Sequence, residues 1–269
     1  MNEKFKWILA ALIISPLILS VFTFGIAEFP NEVSEKSELT FMTYNIHFGQ
    51  GMDDKLNLER IAQNILLDNP DIIGLQEVEV GRVTSQGIDM AFWLAKRLNM
   101  HYYYYNPPGN KHVMGNAILS KYPIAKSAGY SLPSNLQERI FVHCMIEVSS
   151  TLSLDIFCTH IGIRTEDKMA QVDFLLNKMK DISTSSKQVL MGDFNLHNDT
   201  SEIAKVLSYL NDTATAFGAT SRASIDYIFA AGYRNVVDYH VLTDMIESFE
   251  SPREYGSDHL PVVATIDFS

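Results

Sequence analysis

The chain has 269 residues, 46% hydrophobic and 20% charged, with no internal repeat and no long low-complexity tract. That is globular composition, with enough apolar material for a sizeable core. A net charge of −11 and a pI near 5.1 argue against electrostatic capture of nucleic acid as the main binding mode, although a bound divalent metal would supply local positive charge to a nucleic-acid substrate.

The first element in chain order is a targeting segment. Lys4 and Lys6 precede an uncharged, mostly apolar run from Trp7 to Ala27, with Gly25-Ile26-Ala27 as a small-residue cleavage site. A basic start, an apolar middle and a small-residue end read as a secretory signal, and the run approaches the ~20 residues that span a bilayer. Residues 1–27 are therefore expected to be a signal peptide or membrane anchor, 28–38 a polar tether and 39–269 one catalytic domain outside the cytoplasm.

Short runs rich in β-branched and aromatic residues predict strands over Leu39–Asn45, Ile72–Gln76, Tyr102–Tyr105, Asn116–Ser120, Ile140–Val148, Leu152–Thr159, Gln188–Met191, Ile225–Ala230 and Val262–Asp267. Helical periodicity marks Leu58–Leu66, Ile88–Leu98 and Met169–Ile182, the last with Thr165 as N-cap and Glu166 and Asp167 at its positive end. A fourth helix is expected from Asp199, with Glu202 as a capping-box partner. Some strands are joined by hairpins and others through helices, which implies mixed sheets covered by helices.

Cys144 and Cys158 fall in two strands joined by a turn near Thr151, which would set them opposite each other. A disulfide is open to them outside the cytoplasm. Two buried thiols is the favoured reading, because directly opposed strand pairs strain a disulfide. Two cysteines alone do not suggest a thiolate metal site.

Polar residues recur where the predicted strands stop. Asn45 ends "MTYN", Glu77 ends "IIGLQE", His160 ends "IFCTH", and Asp193 and Asn195 follow the run ending at Met191. Asp226 opens "DYIFA", while Asp258 and His259 precede the last strand. Each alone has an ordinary use in a turn, cap or surface pair. Together, at one sheet edge, they gather carboxylates that repel one another unless a cation neutralises them. Oxygen and imidazole donors without sulfur suit a hard ion, Mg²⁺ or Mn²⁺, and so metal-assisted chemistry on phosphate.

The segments "TYNIHFG", "LQEV", "GNAILSKYPI", "THIG", "GDFN", "SIDYIF" and "SDHLPV", in this order, resemble the endonuclease/exonuclease/phosphatase superfamily of DNase I-like proteins. The resemblance covers residues 40–269. It implies an α+β fold, a four-layer α/β/β/α sandwich of two mixed sheets flanked by helices, and Mg²⁺-dependent phosphoester hydrolysis by in-line attack of water. By the same resemblance, Glu77 is the principal metal ligand, with Asn45 and Asp258 around the same ion. Asp193 orients or deprotonates the water, and Asn195 helps hold the water or a phosphate oxygen. His160 and His259 contact the phosphate, and Asp226 fixes the ring of His259.

Weaker candidates are Arg139, which would contact phosphate or form a surface ion pair, and Asn116, which would position substrate or hold a turn. The tyrosines of "HYYYY" would stack on a ligand or pack one face of a strand. The expected partner is a phosphoester: a lipid headgroup, another small phosphoester or, as an alternative, nucleic acid. The chain lacks the long apolar hairpin expected of a membrane-penetrating sphingomyelinase. A silent scaffold on the same fold is the reading from another class. The chain is expected to be a monomer that meets the membrane through its N-terminal segment.

Overall fold

The computed structural model describes residues 36–107, 114–135, 138–243 and 256–269. The Trp7–Ala27 run and residues 28–35 of the tether lie outside them. Among the described residues, no helix is long and apolar enough to cross a membrane.

In chain order the elements are β1 (Glu38–Asn45), a 3₁₀ turn (His47–Gly49), α1 (Leu58–Asp68), β2 (Ile72–Val78), α2 (Met90–Leu98), β3 (His101–Tyr105), β4 (Gly115–Ser120), β5 (Ile124–Leu132) and β6 (Arg139–Glu147). They continue with β7 (Ser153–His160), α3 (Thr165–Ile182), β8 (Gln188–Asp193), α4 (Ser201–Leu207), β9 (Asn211–Asp212), α5 (Thr213–Phe217), β10 (Asp226–Ala231), β11 (Asn235–Val241) and β12 (Val262–Asp267). One six-stranded sheet runs β11-β12-β1-β2-β4-β3 and the other β5-β6-β7-β8-β10-β9.

The four layers follow from strands that bury both faces. In β1, Leu39 and Phe41 join the core between the sheets, while Met42 and Tyr44 face Ile61, Ile65 and Leu94 of α1 and α2. In β8, Val189 and Met191 join the same inter-sheet core, while Leu190 packs with Val172, Leu175 and Met179 of α3. Burial on both sides explains why these strands read as continuous apolar runs rather than alternating ones. Helix starts are fixed locally: Asn57 caps α1 by accepting from Arg60 N–H, and Asp89 caps α2 by accepting from Phe92 N–H.

The predicted strands are all present, with ends moved by one or two residues. Two longer strands, β5 and β11, escape the sequence reading because they are half-exposed edges without an apolar run. The short α5 is also unforeseen and is capped by Asp212, which accepts from Thr215 N–H. Two cap expectations need correction. Thr165 is the first residue of α3, preceded by Arg164 with no side-chain cap, and α4 is capped by Thr200, not Asp199.

The cysteine geometry also differs from expectation. Residue 147 pairs with 153, so the hairpin centres on Ser150 rather than Thr151, and Cys144 lies opposite Ile156 while Cys158 lies opposite Val142. Both thiols are buried and free, and burial pushes Cys158 up to about 12.

Within each sheet one parallel pair interrupts antiparallel neighbours: β1 with β2, and β7 with β8. The first pair ends with Asn45 opposite Gln76, one residue before Glu77, and the second with His160 opposite Asp193.

Candidate active site

The site begins with how β8 ends. A Cβ on Gly192 would lie 2.0 Å from the carbonyl oxygen of Thr159, so only glycine lets β8 draw this close to β7. The register then sets His160 beside Asp193 on one side and Asp226 beside Asp193 on the other. Three chemically active side chains thus form a row across β7, β8 and β10. Asn195 follows with φ 50°, a left-handed conformation that asparagine tolerates, and its backbone N–H donates to Asp193 Oδ1 at 2.9 Å.

The other sheet supplies the rest. Asn45 Nδ2 donates to Asp193 Oδ2 at 3.1 Å. The hydroxyl of Ser257 donates to the Asn45 carbonyl at 2.7 Å, which brings Asp258 and His259 over the end of β1. His259 Nδ1 lies 2.9 Å from Asp226 Oδ2, and its Nε2 lies 3.7 Å from Asp193 Oδ2. His160 Nε2 lies 3.3 Å from the same Asp193 oxygen and 3.2 Å from Asn195 Nδ2.

Glu77 stands at the bulged end of β2, where the register shifts between Leu75 and Val78. Its φ of 57° is rare for a residue with a long side chain, and such strain at a bulge re-aims a side chain. Asn45 pairs with Gln76, so Glu77 is the next residue along β2 from the partner of Asn45. Asp258 is half exposed, with its Oδ1 3.9 Å from His47 Nδ1.

Electrostatics divide the groups by role. Burial and the charge of Asp226 raise Asp193 to about 6, against the pull of His259, the Asn195 N–H and Asn45. Burial also raises Asp226. For His259, burial opposes charge, yet the hydrogen bond and charge of Asp226, with Asp193 and Asp258, lift it to about 9. Burial, then the positive charges of Arg139 and His259, hold His160 far below its usual range. One imidazole is therefore a cation at neutral pH and the other is neutral.

Arg139 explains how the neutral one is oriented. Its Nη1 lies 3.2 Å from His160 Nδ1. A guanidinium only donates, so Nδ1 accepts and the ring proton sits on Nε2, facing Asp193. Burial lowers Arg139, while the charges of Glu77 and Asp193 support it. Its buried Nε has no partner among the described residues.

Among the described residues, one group of acidic and imidazole side chains lies close enough to hold a metal ion. Ligand atoms of Asp193, Asp226 and His259 lie within 4.8 Å of one another. An imidazolium has no lone pair to offer, so these three fit a proton-bearing relay better. Asn45, Glu77 and Asp258 are the oxygen donors that the family resemblance assigns to a hard divalent cation. Among the described residues, Asn45 Oδ1 accepts only the His47 N–H, at 3.1 Å, which leaves a second lone pair.

Asn116 belongs elsewhere. It lies within β4, fully buried, and its amide donates to the Ile140 carbonyl at 3.0 Å, which ties the two sheets together rather than holding a turn. The tyrosines of β3 pack the strand, with Tyr103 and Tyr105 against the inter-sheet core and Tyr104 on the other face. Sequence reasoning missed Ser257, the anchor of the Asp258-His259 pair, whose signal is its place directly before "DH". It also missed Lys168, whose Nζ donates to the Asn195 carbonyl at 2.6 Å. Nothing in the local sequence marks that lysine.

The model of the endonuclease/exonuclease/phosphatase family matches residues 42–259. The chain belongs to this family. The activities in the family's description, endonuclease, exonuclease and phosphatase, are all hydrolyses of phosphoesters. Protein cwh43 of Schizosaccharomyces pombe is 32% identical over 120 residues, which is 44% of this chain and 12% of the yeast protein. Among solved structures, an endonuclease/exonuclease/phosphatase family protein from Bacteroides thetaiotaomicron is similar with a TM-score of 0.71 at 21% identity, over 86% of this chain and 98% of that one. The mannosyl-6-phosphatase Bt3783 of Bacteroides thetaiotaomicron is similar with a TM-score of 0.70 at 20% identity, over 86% and 100%. These structural likenesses establish the four-layer fold.

Proposed function

We propose that this chain is a divalent-metal-dependent phosphodiesterase that acts outside the cytoplasm, with Mg²⁺ as its ion and Mn²⁺ able to replace it. One observation carries the reading: Asp193 touches Asn45 and faces both imidazoles, one charged and one neutral. A cation held by Asn45, Glu77 and Asp258 would supply charge neutralisation at the phosphate oxygens.

The chain's own groups supply the remaining chemistry. Asp193 accepts a proton from water as the new P–O bond forms opposite the breaking one. Asn195 holds that water or a phosphate oxygen. The His259 imidazolium, kept charged by Asp226, and the neutral His160 Nε2–H donate to non-bridging oxygens, where negative charge grows in the transition state. Rigid strand ends hold these donors in place better than mobile loops would. The extracytoplasmic location rests on the Lys4, Lys6 and Trp7–Ala27 pattern.

The test is a substrate panel offered to the purified protein with Mg²⁺: plasmid DNA, RNA, phospholipids, inositol phosphates and sugar phosphates, the last because a structural neighbour is a mannosyl-6-phosphatase. Turnover of a phosphodiester, lost in Asp193→Ala, supports the reading. A folded protein inert towards every phosphoester favours a silent scaffold instead.

A further inference from the structure

On the outer face of the second sheet, the register sets Ala128 of β5 opposite His143 of β6, and His143 opposite Phe157 of β7. Phe157 packs with Val172 and Leu175 of α3. Ala128 ends at its Cβ and leaves room where a larger side chain would close the surface. The result is a cavity of about 470 Å³, within the range of small-molecule pockets. Tyr130, Met145 and Ile182 give it apolar walls. It is separate from the phosphoester site: none of its lining residues belongs there, and Phe157 stands three residues, roughly 10 Å, before His160 along β7.

His143 gives the cavity a polar centre. It is 7% exposed, it lines the cavity, and its ring stacks on Phe157 with centroids 4.7 Å apart. Its Nε2 lies 2.7 Å from Asp155 Oδ1. An ionised carboxylate only accepts, so the Nε2 proton faces Asp155 and Nδ1 is the ring's other polar atom. Among the described residues, Nδ1 has no partner. An open nitrogen on a buried ring costs stability unless a ligand or water meets it. The fold makes no use of it: Asp155 Oδ2 already accepts the Thr184 and Ser185 N–H groups, which fixes the segment that brings Thr184 to the cavity.

Charge selects the ligand. Among the described residues that line the cavity there is no carboxylate. Lys126 lies diagonal to His143 across β5 and β6, within reach of a long side chain. A second cation, Lys178, sits over the Tyr130 ring at 5.1 Å. We infer that this cavity is a second binding site, for a small organic carboxylate with an apolar body: Nδ1–H of a protonated His143 and the Lys126 ammonium hold the acid group, while Ala128, Tyr130, Met145 and Ile182 enclose the rest. The bound anion completes a row of Asp155, imidazolium and carboxylate in which each negative group meets a positive donor. The inference goes beyond the phosphodiesterase reading and does not depend on it.

The test is heteronuclear NMR of the histidine rings in the full chain, titrated with cinnamate and, as its neutral counterpart, cinnamyl alcohol. The expected result is a saturable shift of the His143 ring signals with cinnamate alone, those signals being assigned by their loss in His143→Gln. Lys126→Glu, at the exposed rim, and Ala128→Leu, which fills the floor, should each raise the cinnamate Kd roughly ten-fold or more, through loss of a charge-assisted hydrogen bond or of room. His160 and His259 signals that stay in place in both variants certify an intact fold. No saturable shift at His143, an equal shift with the alcohol, a tighter response at His259, or a Kd that neither variant changes would each overturn the inference.

Discussion

Asp226, on β10 of one sheet, lies 2.9 Å from Nδ1 of His259, which arrives from the segment before β12 of the other. This contact joins the two halves of the sandwich at the site and keeps the imidazole charged. The carboxylate raises the histidine to about 9, so His259 holds its proton through neutral pH. Replacing Asp226 by Asn removes that charge, and His259 then loses its proton at lower pH. The alkaline limb of the pH–rate profile should move toward neutrality, with kcat reduced about 10²–10⁴-fold. An alkaline limb that stays in place would separate Asp226 from the histidine's role.

Asp193, as the proposed base, would set the acid limb. At about 6, it is a competent base above that pH and progressively protonated below it. Asp193→Ala is expected to lower kcat by roughly 10²–10⁴-fold and to remove the acid limb, with an unchanged far-ultraviolet circular dichroism spectrum. His259→Ala should cost about as much in turnover, since it removes the imidazolium proposed to donate to the non-bridging oxygens.

Glu77 tests the oxygen-only donor set. Glu77→Gln retains size and removes charge. Half-saturating Mg²⁺ should rise by at least ~10-fold, since loss of even outer-shell partners costs that much. Isothermal titration of metal into the protein without substrate gives a second reading of the same change. Unaltered Mg²⁺ affinity would assign Glu77 to Arg139 alone.

Away from the site, Asp155 is buried and accepts from His143 at 2.7 Å and from the Thr184 and Ser185 N–H groups, also at 2.7 Å. Burial works against its charge, but these bonds prevail and hold it below the usual carboxylate range. A depressed carboxyl stabilises the fold above the unfolded value of ~3.9 and loses that contribution as pH falls through its folded value. Asp155→Asn should therefore cost roughly 3 kcal/mol near pH 7, with the gap narrowing as the pH falls below the unfolded value. Urea melts at both pH values measure this.

Much of the site is legible in the sequence because polar residues interrupt apolar runs where strands stop: Asn45, Glu77, His160 and Asp193 all do so. Their meeting is a consequence of sheet topology, which the ordered motifs convey through the family resemblance and single residues do not. What stays hidden is tertiary. The bulge that turns Glu77 has no local marker, and Arg139 becomes the partner of His160 only when β6 lies beside β7. The half-exposed edges β5 and β11 lack the apolar run that reveals a buried strand. A hairpin centred one residue earlier was enough to move Cys144 away from Cys158, because register shifts in steps that the turn sequence "SSTLS" does not fix.

The most direct measurement is hydrolysis of bis-p-nitrophenyl phosphate by the purified chain before and after chelation. The expected result is turnover with Mg²⁺ or Mn²⁺ that EDTA abolishes and added metal restores. Turnover that persists at full rate in EDTA would contradict the proposed metal-assisted site at Asn45, Glu77 and Asp258.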